Sequence, residues 1–430
     1  MTAALRIVPD GPEGPNRPPS VDALVRSIAD IDLPHPLLVD AARAAIEAGQ
    51  PTSARQRAEA TRHTLLGPVV NATGVLLHTN LGRAPIEVSQ SARYQNLELD
   101  LSTGRRGSRS AHAASLIARA IDAPAALVVN NGAAALLLAL AALASGREVV
   151  VSRGELIEIG GGFRIPEVLA ASGATLVEVG TTNRTAPADY QRATTPSTAV
   201  LLKVHQSNYR MVGFTRSVSV AELAGLGPPV VFDIGSGLLD AGTPWLPGRP
   251  PAWLAGEPAA RQALAEGADL VTFSTDKLFG GPQGGVIAGR ADLVAACAGH
   301  PMARALRPGG LVLGALQETA LAYLRGDGAA IPFWRMATAD PAVLRARAEA
   351  LGVGTVAECH SVVGGGALPG VEIPSAGIAL PGDHAEALRR APVPVLGRVR
   401  RGQTVLDLRT VDLADDVPVA DAARMALATG

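Results

Sequence analysis

Lysine is almost missing from this chain: of 38 basic residues only Lys203 and Lys277 are lysines, and the rest are arginines. Cysteine is equally scarce. Cys297 and Cys359, the only two, are too few and too far apart for a disulfide framework or a zinc site. No metal is expected, and a cytoplasmic location follows. Aromatic residues make up 3% of the chain, so the core must be alanine, valine and leucine, as suits helices packed over a parallel sheet. A net charge of -1 excludes a global electrostatic draw toward nucleic acid or membrane, so any polyanion must be met by local arginines. The longest apolar run, Ala133 to Ala144, is too short to span a bilayer. The N-terminus lacks the basic start and apolar stretch of a signal peptide.

What is present is 430 residues, enough for a large core and smaller appended domains. Up to about Pro18 the chain is a proline- and glycine-rich lead. Ser20 can cap one short helix and Pro36 can start a second, making a small helical domain over residues 1–50. Residues 51–68 are polar and read as a linker, a connecting segment or a helix leading into the main body, with Arg55, Arg57 and Arg62. From 69 to 310, short apolar strands alternate with amphipathic helices. The strands are expected at Ala126–Val129, Glu148–Val151, Thr175–Val179, Val200–Val204, Val230–Phe232, Val271–Phe273 and Val286–Ala288. That alternation predicts an α/β fold with a mainly parallel sheet covered on both faces. Residues 311–430 are expected to form a smaller C-terminal α/β domain ending in a helix near Asp421–Ala428, with Gly364–Gly366 as a tight turn.

Ligands of such sheets bind beyond the carboxyl ends of the strands, where the polar residues of this chain gather. Lys277 stands between the strand Val271–Phe273 and the glycines Gly280, Gly281, Gly284 and Gly285. A sequence that has replaced lysine nearly everywhere keeps one where a guanidinium cannot serve, as in a Schiff base with a carbonyl cofactor. Lys203, inside AVLLKVH, is read as snorkelling or paired. Pyridoxal phosphate further requires an acid for its ring nitrogen, a phosphate cradle and a wall for the ring. Asn131, Gly132 and Ala133 open the helix AAALLLALAALA and offer free N–H groups to a phosphate. Asp233, emerging after PPVVF, is either the ring acid or the cap of a loop, and His205 is either a cofactor partner or a buried structural histidine. Ser236 and Ser274 share these strand ends and are expected cofactor contacts. Arg304 and Arg307, three apart, lie on one face if helical. Spacing alone leaves them between oxyanion recognition and a solvated surface.

Longer blocks carry a resemblance. NATGVLLHTNLGRAP from Asn71, VVNNGAAALLLALAALASGREVVVSRGELIEIGGGFRIP from Val128, VGTTNRT from Val179, KVHQSNYRMVGFT from Lys203, FDIGSGLL from Phe232, FSTDKLFGGPQGGVIAG from Phe273, HPMARALRPGG from His300 and PVPVLGRVRRGQTVLDLR from Pro392 stand in order along the chain. Together they resemble the bacterial selenocysteine synthases, the L-seryl-tRNA(Sec) selenium transferases. The resemblance implies a fold-type-I pyridoxal phosphate enzyme, related to aspartate aminotransferase, with an N-terminal tRNA-binding domain. It places the cofactor lysine at Lys277, the ring acid at Asp233 and the arginines for the selenium donor at Arg83, Arg304 and Arg307. The substrates it implies are Ser-tRNA(Sec) and selenophosphate, and the assembly a homodecamer, a pentamer of dimers with sites shared between subunits. The alternative is a pyridoxal phosphate lyase or transferase acting on a free amino acid.

Overall fold

The computed structural model describes residues 19–87, 93–109, 111–160 and 162–429; the lead expected before about Pro18 lies outside them. Two compact units divide the chain between Val69 and Val70.

In the first unit, Ser20 caps α1 (Val21–Ser27) by accepting a hydrogen bond from the Ala23 N–H at 3.2 Å, and proline stands in the first turn of α2 (His35–Glu47). Residues 51–68, expected as a linker, carry a third helix, α3 (Ala54–Thr64). Ala54 and Ala58, one turn apart, bury their face in the small core with Val25, Ile28, Leu38 and Ala42. Arg55 spans back to Asp30 with two hydrogen bonds, of 2.7 and 2.9 Å.

The second unit is built on a seven-stranded sheet. Its strands are β1 (Ala125–Val129), β2 (Glu148–Ser152), β3 (Thr175–Val179), β4 (Thr198–Val204), β5 (Val230–Gly235), β6 (Leu270–Ser274) and β7 (Gly285–Gly289). All seven are the strands expected from the sequence, each within two residues at either end but for the longer β5. Their order is β1-β7-β6-β5-β4-β2-β3, and only β7 runs antiparallel to its neighbours. β1 is thus an edge strand whose sole partner is β7, with Val129 opposite Gly285.

A four-stranded antiparallel sheet follows, of β8 (Thr355–Gly364), β9 (Ala367–Pro381), β10 (Arg398–Arg400) and β11 (Gln403–Asp407), in the order β8-β9-β11-β10. Its own core joins Ile378, Leu380 and Leu406 to the final helix, Asp416–Thr429, through Val419 and Ala423. Val70 and Ala72 also sit in this core, so the first residues after the boundary pack with the C-terminal sheet. The segment at which the small domain was expected to begin is a helix, Gly310–Arg325, that buries Leu313, Leu316, Ala320 and Tyr323 in the core of the large sheet.

The scarce aromatic residues are concentrated behind the turn that follows β6. Trp334 Nε1 donates to the Tyr323 hydroxyl at 2.7 Å, which donates to the Phe279 carbonyl at 2.7 Å. Trp245 meets Tyr323 edge-on at 4.6 Å between ring centroids, and the Phe279 ring lies 5.3 Å from that of Tyr323. A well-packed aromatic wall in which the Tyr323 and Trp334 tips are hydrogen-bonded is rigid. Lys277 therefore departs from a fixed base.

Candidate active site

Lys277 lies three residues beyond β6 and is 4% exposed. Burial pushes its amine below the ordinary lysine value; the charge of Asp233 opposes this and that of Arg83 reinforces it. Asp233 points from the adjacent strand and is buried, with Thr272 Oγ1 donating to its Oδ1 at 2.8 Å. Burial raises the Asp233 carboxyl, while the Thr272 hydrogen bond and the charges of Lys277 and His205 pull it down. An amine whose charged form burial disfavours, next to a buried carboxyl group, is an arrangement that calls for a further positive group.

Other polar groups surround this pair without protein partners among the described residues. His205 Nε2, Ser207 Oγ and Ser236 Oγ are buried and make no hydrogen bond, and His205 Nε2 stands 3.5 Å from a carboxylate oxygen of Glu257. A native interior seldom leaves several such atoms orphaned together, so they are the natural contacts of a bound polar molecule. Lys203, by contrast, is consumed: its Nζ donates to Glu155 at 2.9 Å and to the Val218 carbonyl at 2.7 Å.

The residues expected to cradle a phosphate stand at a helix start. Asn131 caps the helix Gly132–Ala144 by accepting from the Ala134 N–H at 2.8 Å, which leaves the earlier N–H groups of the first turn, at Gly132 and Ala133, directed to the helix mouth. Gly132 is required by a close approach: a Cβ there would stand 2.3 Å from Ser274 Oγ. The cradle and the β6 end that carries Lys277 are thereby packed together.

Arg83 approaches from the other side. It adopts a left-handed φ of 66°, strained for an arginine, and its Nη1 lies 2.5 Å from Oδ2 of buried Asp276. The Ala84 N–H also donates to the Asp276 carbonyl at 3.2 Å. The turn His78–Arg83 is thus clipped to the residue preceding Lys277.

Arg304 and Arg307 are placed differently from expectation. The helix they were to share, Pro301–Ala305, ends before Arg307, because Pro308 disfavours helical backbone at the residue preceding it. Both line a separate cavity of about 210 Å³ with Arg109, Leu127 and Val128, and Arg307 Nη1 is 3.5 Å from Glu98. Among the described residues, none of their ion pairs reaches Lys277, Asp233 or Arg83.

Several site residues were not legible. The turn Gly364–Gly366, read only as a tight turn, joins β8 to β9 and comes to the lysine: a Cβ on Gly366 would lie 3.7 Å from Lys277 Nζ and 3.9 Å from Ser207 Oγ. Three successive positive φ angles, 72°, 63° and 76°, explain the glycines. Thr272, Ser207 and Glu257 belong to the site by pairing or proximity that no local pattern announces. Among the described residues no group of three or more His, Cys, Asp or Glu side chains is placed to hold a metal ion, and no helix is long and apolar enough to cross a membrane.

Residues 69–412 match the family model described as L-seryl-tRNA selenium transferase. The chain is 48% identical over 376 residues to the L-seryl-tRNA(Sec) selenium transferase of Moorella thermoacetica, covering 80% of this chain and 78% of that one. It is 47% identical over 391 residues to the protein of the same name from Geobacter metallireducens, covering 84% and 83%. With that of Solidesulfovibrio magneticus it shares 44% over 455 residues, covering 93% and 94%. Among solved structures, D-glucosaminate-6-phosphate ammonia-lyase matches with a TM-score of 0.58 at 20% identity, over 85% of this chain and 98% of that one. The sheet order and this superposition give the second unit the fold-type-I architecture expected from the sequence.

Proposed function

This chain belongs to the L-seryl-tRNA selenium transferase family, and from that membership we infer that it converts L-seryl-tRNA(Sec) to L-selenocysteinyl-tRNA(Sec) with selenophosphate as donor. The observation that carries the chemistry is the buried pair Lys277 and Asp233 with orphaned Ser207, Ser236 and His205 atoms around it. Pyridoxal 5′-phosphate fits this set. Lys277 would hold its aldehyde carbon, Asp233 its ring nitrogen, and the helix start at Asn131, Gly132 and Ala133 its phosphate, with Ser236, Ser274 and His205 as further contacts. Bound there, the cofactor supplies an electron sink for the charge left at the seryl α-carbon.

The remaining work falls to the protein. The amine of Lys277, whose charged form burial disfavours, takes the α-proton. Asp233, fixed by Thr272, holds a proton on the ring nitrogen and so keeps the sink positive. The β-hydroxyl departs as water with the proton Lys277 removed; selenium then bonds to the β-carbon as its bond to phosphorus breaks, water takes the phosphorus as phosphate, and the proton that water gives up returns to the α-carbon. Arg83, anchored on Asp276 beside the lysine, presents a guanidinium for an oxyanion of the donor. Arg304 and Arg307 serve the same anion in this reading, and since they line a separate cavity within one protomer, the dimer-based decamer is what would bring them to it. A reaction on a free amino acid is not favoured, because the relatives similar over most of the chain are named for a seryl-tRNA(Sec) substrate.

Incubating the purified protein with Ser-tRNA(Sec), with and without selenophosphate, and analysing the aminoacyl group tests the reading. Selenocysteinyl ester only with both substrates is expected; turnover of free serine with indifference to tRNA would overturn it. Arg307→Ala should leave release of water from the seryl group within about threefold while lowering selenium incorporation by about tenfold or more. Equal loss in both half-reactions would assign the arginine to structure instead.

The first unit is assigned tRNA selection. Its separate core and the boundary at Val70 predict that a chain beginning at Val70 folds, binds pyridoxal phosphate and no longer distinguishes tRNA(Sec) from tRNA(Ser). Arg55 is already engaged by Asp30, so contacts must come from shape and from arginines such as Arg57 and Arg62. Filter binding with both tRNAs checks this, and retained discrimination would defeat it.

A further inference from the structure

Beside the lysine site opens a larger cavity, of about 550 Å³, walled by the loops that follow β2, β3 and β4. That volume is in the range of a ligand site. Its inner end is shared with the reaction centre: His205 and Glu257 line it, and the charge of Glu257 is felt by the Lys277 amine. Glu257 Oε1 and His205 Nε2 are buried there without hydrogen-bond partners, leaving an acceptor for a hydroxyl at the inner wall.

Away from the lysine the lining becomes cationic. Arg184, Arg210, Arg216 and Lys203 face two carboxylates, Glu155 and Glu257, and Lys203 already neutralises Glu155 at 2.9 Å. Among the described residues Arg184 and Arg210 enter no ion pair, and the Glu222 oxygen nearest Arg216 is 3.8 Å away. Between these arginines stands Tyr209, 38% exposed, with its hydroxyl tied to the Gly154 carbonyl at 3.0 Å. Guanidinium groups spaced around a tethered aromatic ring are the elements that bind single-stranded RNA, phosphates on the cations and a base on the ring.

We propose that this cavity seats the unpaired 3′-terminal nucleotides of the aminoacyl-tRNA, with the terminal ribose toward Glu257 and the preceding phosphates on Arg184 and Arg210. The proposal rests on the seryl-tRNA reading above. That substrate carries its seryl group as an ester on a terminal ribose, so a nucleotide and its phosphates must lie next to wherever the seryl group meets Lys277. A cavity continuous with the lysine site and lined by uncommitted arginines meets that requirement. The small dianionic donor is the other phosphate source, and it needs no room for a base.

The test has two arms. In steady-state assays Arg184→Ala and Arg210→Ala should each raise the KM for Ser-tRNA(Sec) by about tenfold, the net worth of a charge-assisted hydrogen bond, with kcat at saturation within about twofold and the KM for selenophosphate unchanged. Arg210→Lys should recover part of the loss. Both arginines are exposed, so truncation opens no core cavity. In the second arm the cofactor-loaded protein is titrated calorimetrically with the trinucleotide CCA. Binding at least tenfold weaker in the double variant than in wild type is expected. A rise in the selenophosphate KM with no change for tRNA would make the cavity the donor site, and equal CCA binding by both proteins, or none by wild type, would overturn the proposal. Failure of wild type to use Ser-tRNA(Sec) would sink the functional reading, while the CCA titration would still decide the cavity.

Discussion

Lys277→Ala is expected to lower turnover of Ser-tRNA(Sec) by at least about 10³-fold, the scale of a lost general base, and to remove the protein's visible cofactor absorbance. Two roles end with one side chain: covalent capture of the cofactor and abstraction of the α-proton. Lys277 is 4% exposed, so alanine also leaves a void. Lys277→Met, which fills that space, separates the chemical loss from a packing loss and should be equally inactive while folded. Borohydride treatment of the pyridoxal phosphate-loaded wild type followed by peptide mapping should mark Lys277, and a label on Lys203 would overturn the assignment. The depressed amine also sets a pH dependence. In the cofactor-free protein the unfolded chain holds the Lys277 proton more tightly than the folded one. This lysine's share of stability is therefore complete above the ordinary value of 10.5 and is lost as pH falls through the lower folded value. Lys277→Met should flatten that part of the stability profile.

Asp233→Asn should reduce kcat by about 10²–10⁴-fold while the cofactor content of the protein stays near that of wild type. An amide retains the hydrogen bond from Thr272 as an acceptor but carries no charge to hold a proton on the ring nitrogen, so attachment at Lys277 persists and the electron sink weakens. Cofactor released by alkali and quantified by absorbance, set against kcat, gives the split. A variant with wild-type kcat would remove Asp233 from the mechanism; one that loses the cofactor would give it a binding role first.

The large sheet and one half of its site were legible in the sequence for a physical reason. Each parallel strand buries both faces and so appears as a short apolar run, and the polar residues at its carboxyl end mark the ligand side, as with Asn131, His205, Asp233 and Lys277. What was not legible depends on contacts between segments distant in sequence. Gly366 sits by the lysine only because β8 and β9 fold back over the strand ends, and a glycine triplet looks the same in any hairpin. Ala54 and Ala58 were hidden among arginines, since small alanines can build a helix interface without a hydrophobic stripe strong enough to mark it. Arg307 left the expected helix face because one proline outweighed the spacing.

The solitary pairing of β1 bears on how the protein is made. Val129 waits for Gly285, about 150 residues later, before that edge gains a partner, a long-range closure of the kind that slows folding. At a synthesis rate of about 5–20 residues per second the wait on the ribosome is about 10–30 s. During it the nascent chain presents an unpaired strand leading into the Asn131 turn, with the lysine that completes the pocket arriving only shortly before the closing strand. Covalent capture of the cofactor at Lys277 must therefore wait until roughly two-thirds of the chain has been made, and until then the ligand cannot help to hold that bare edge.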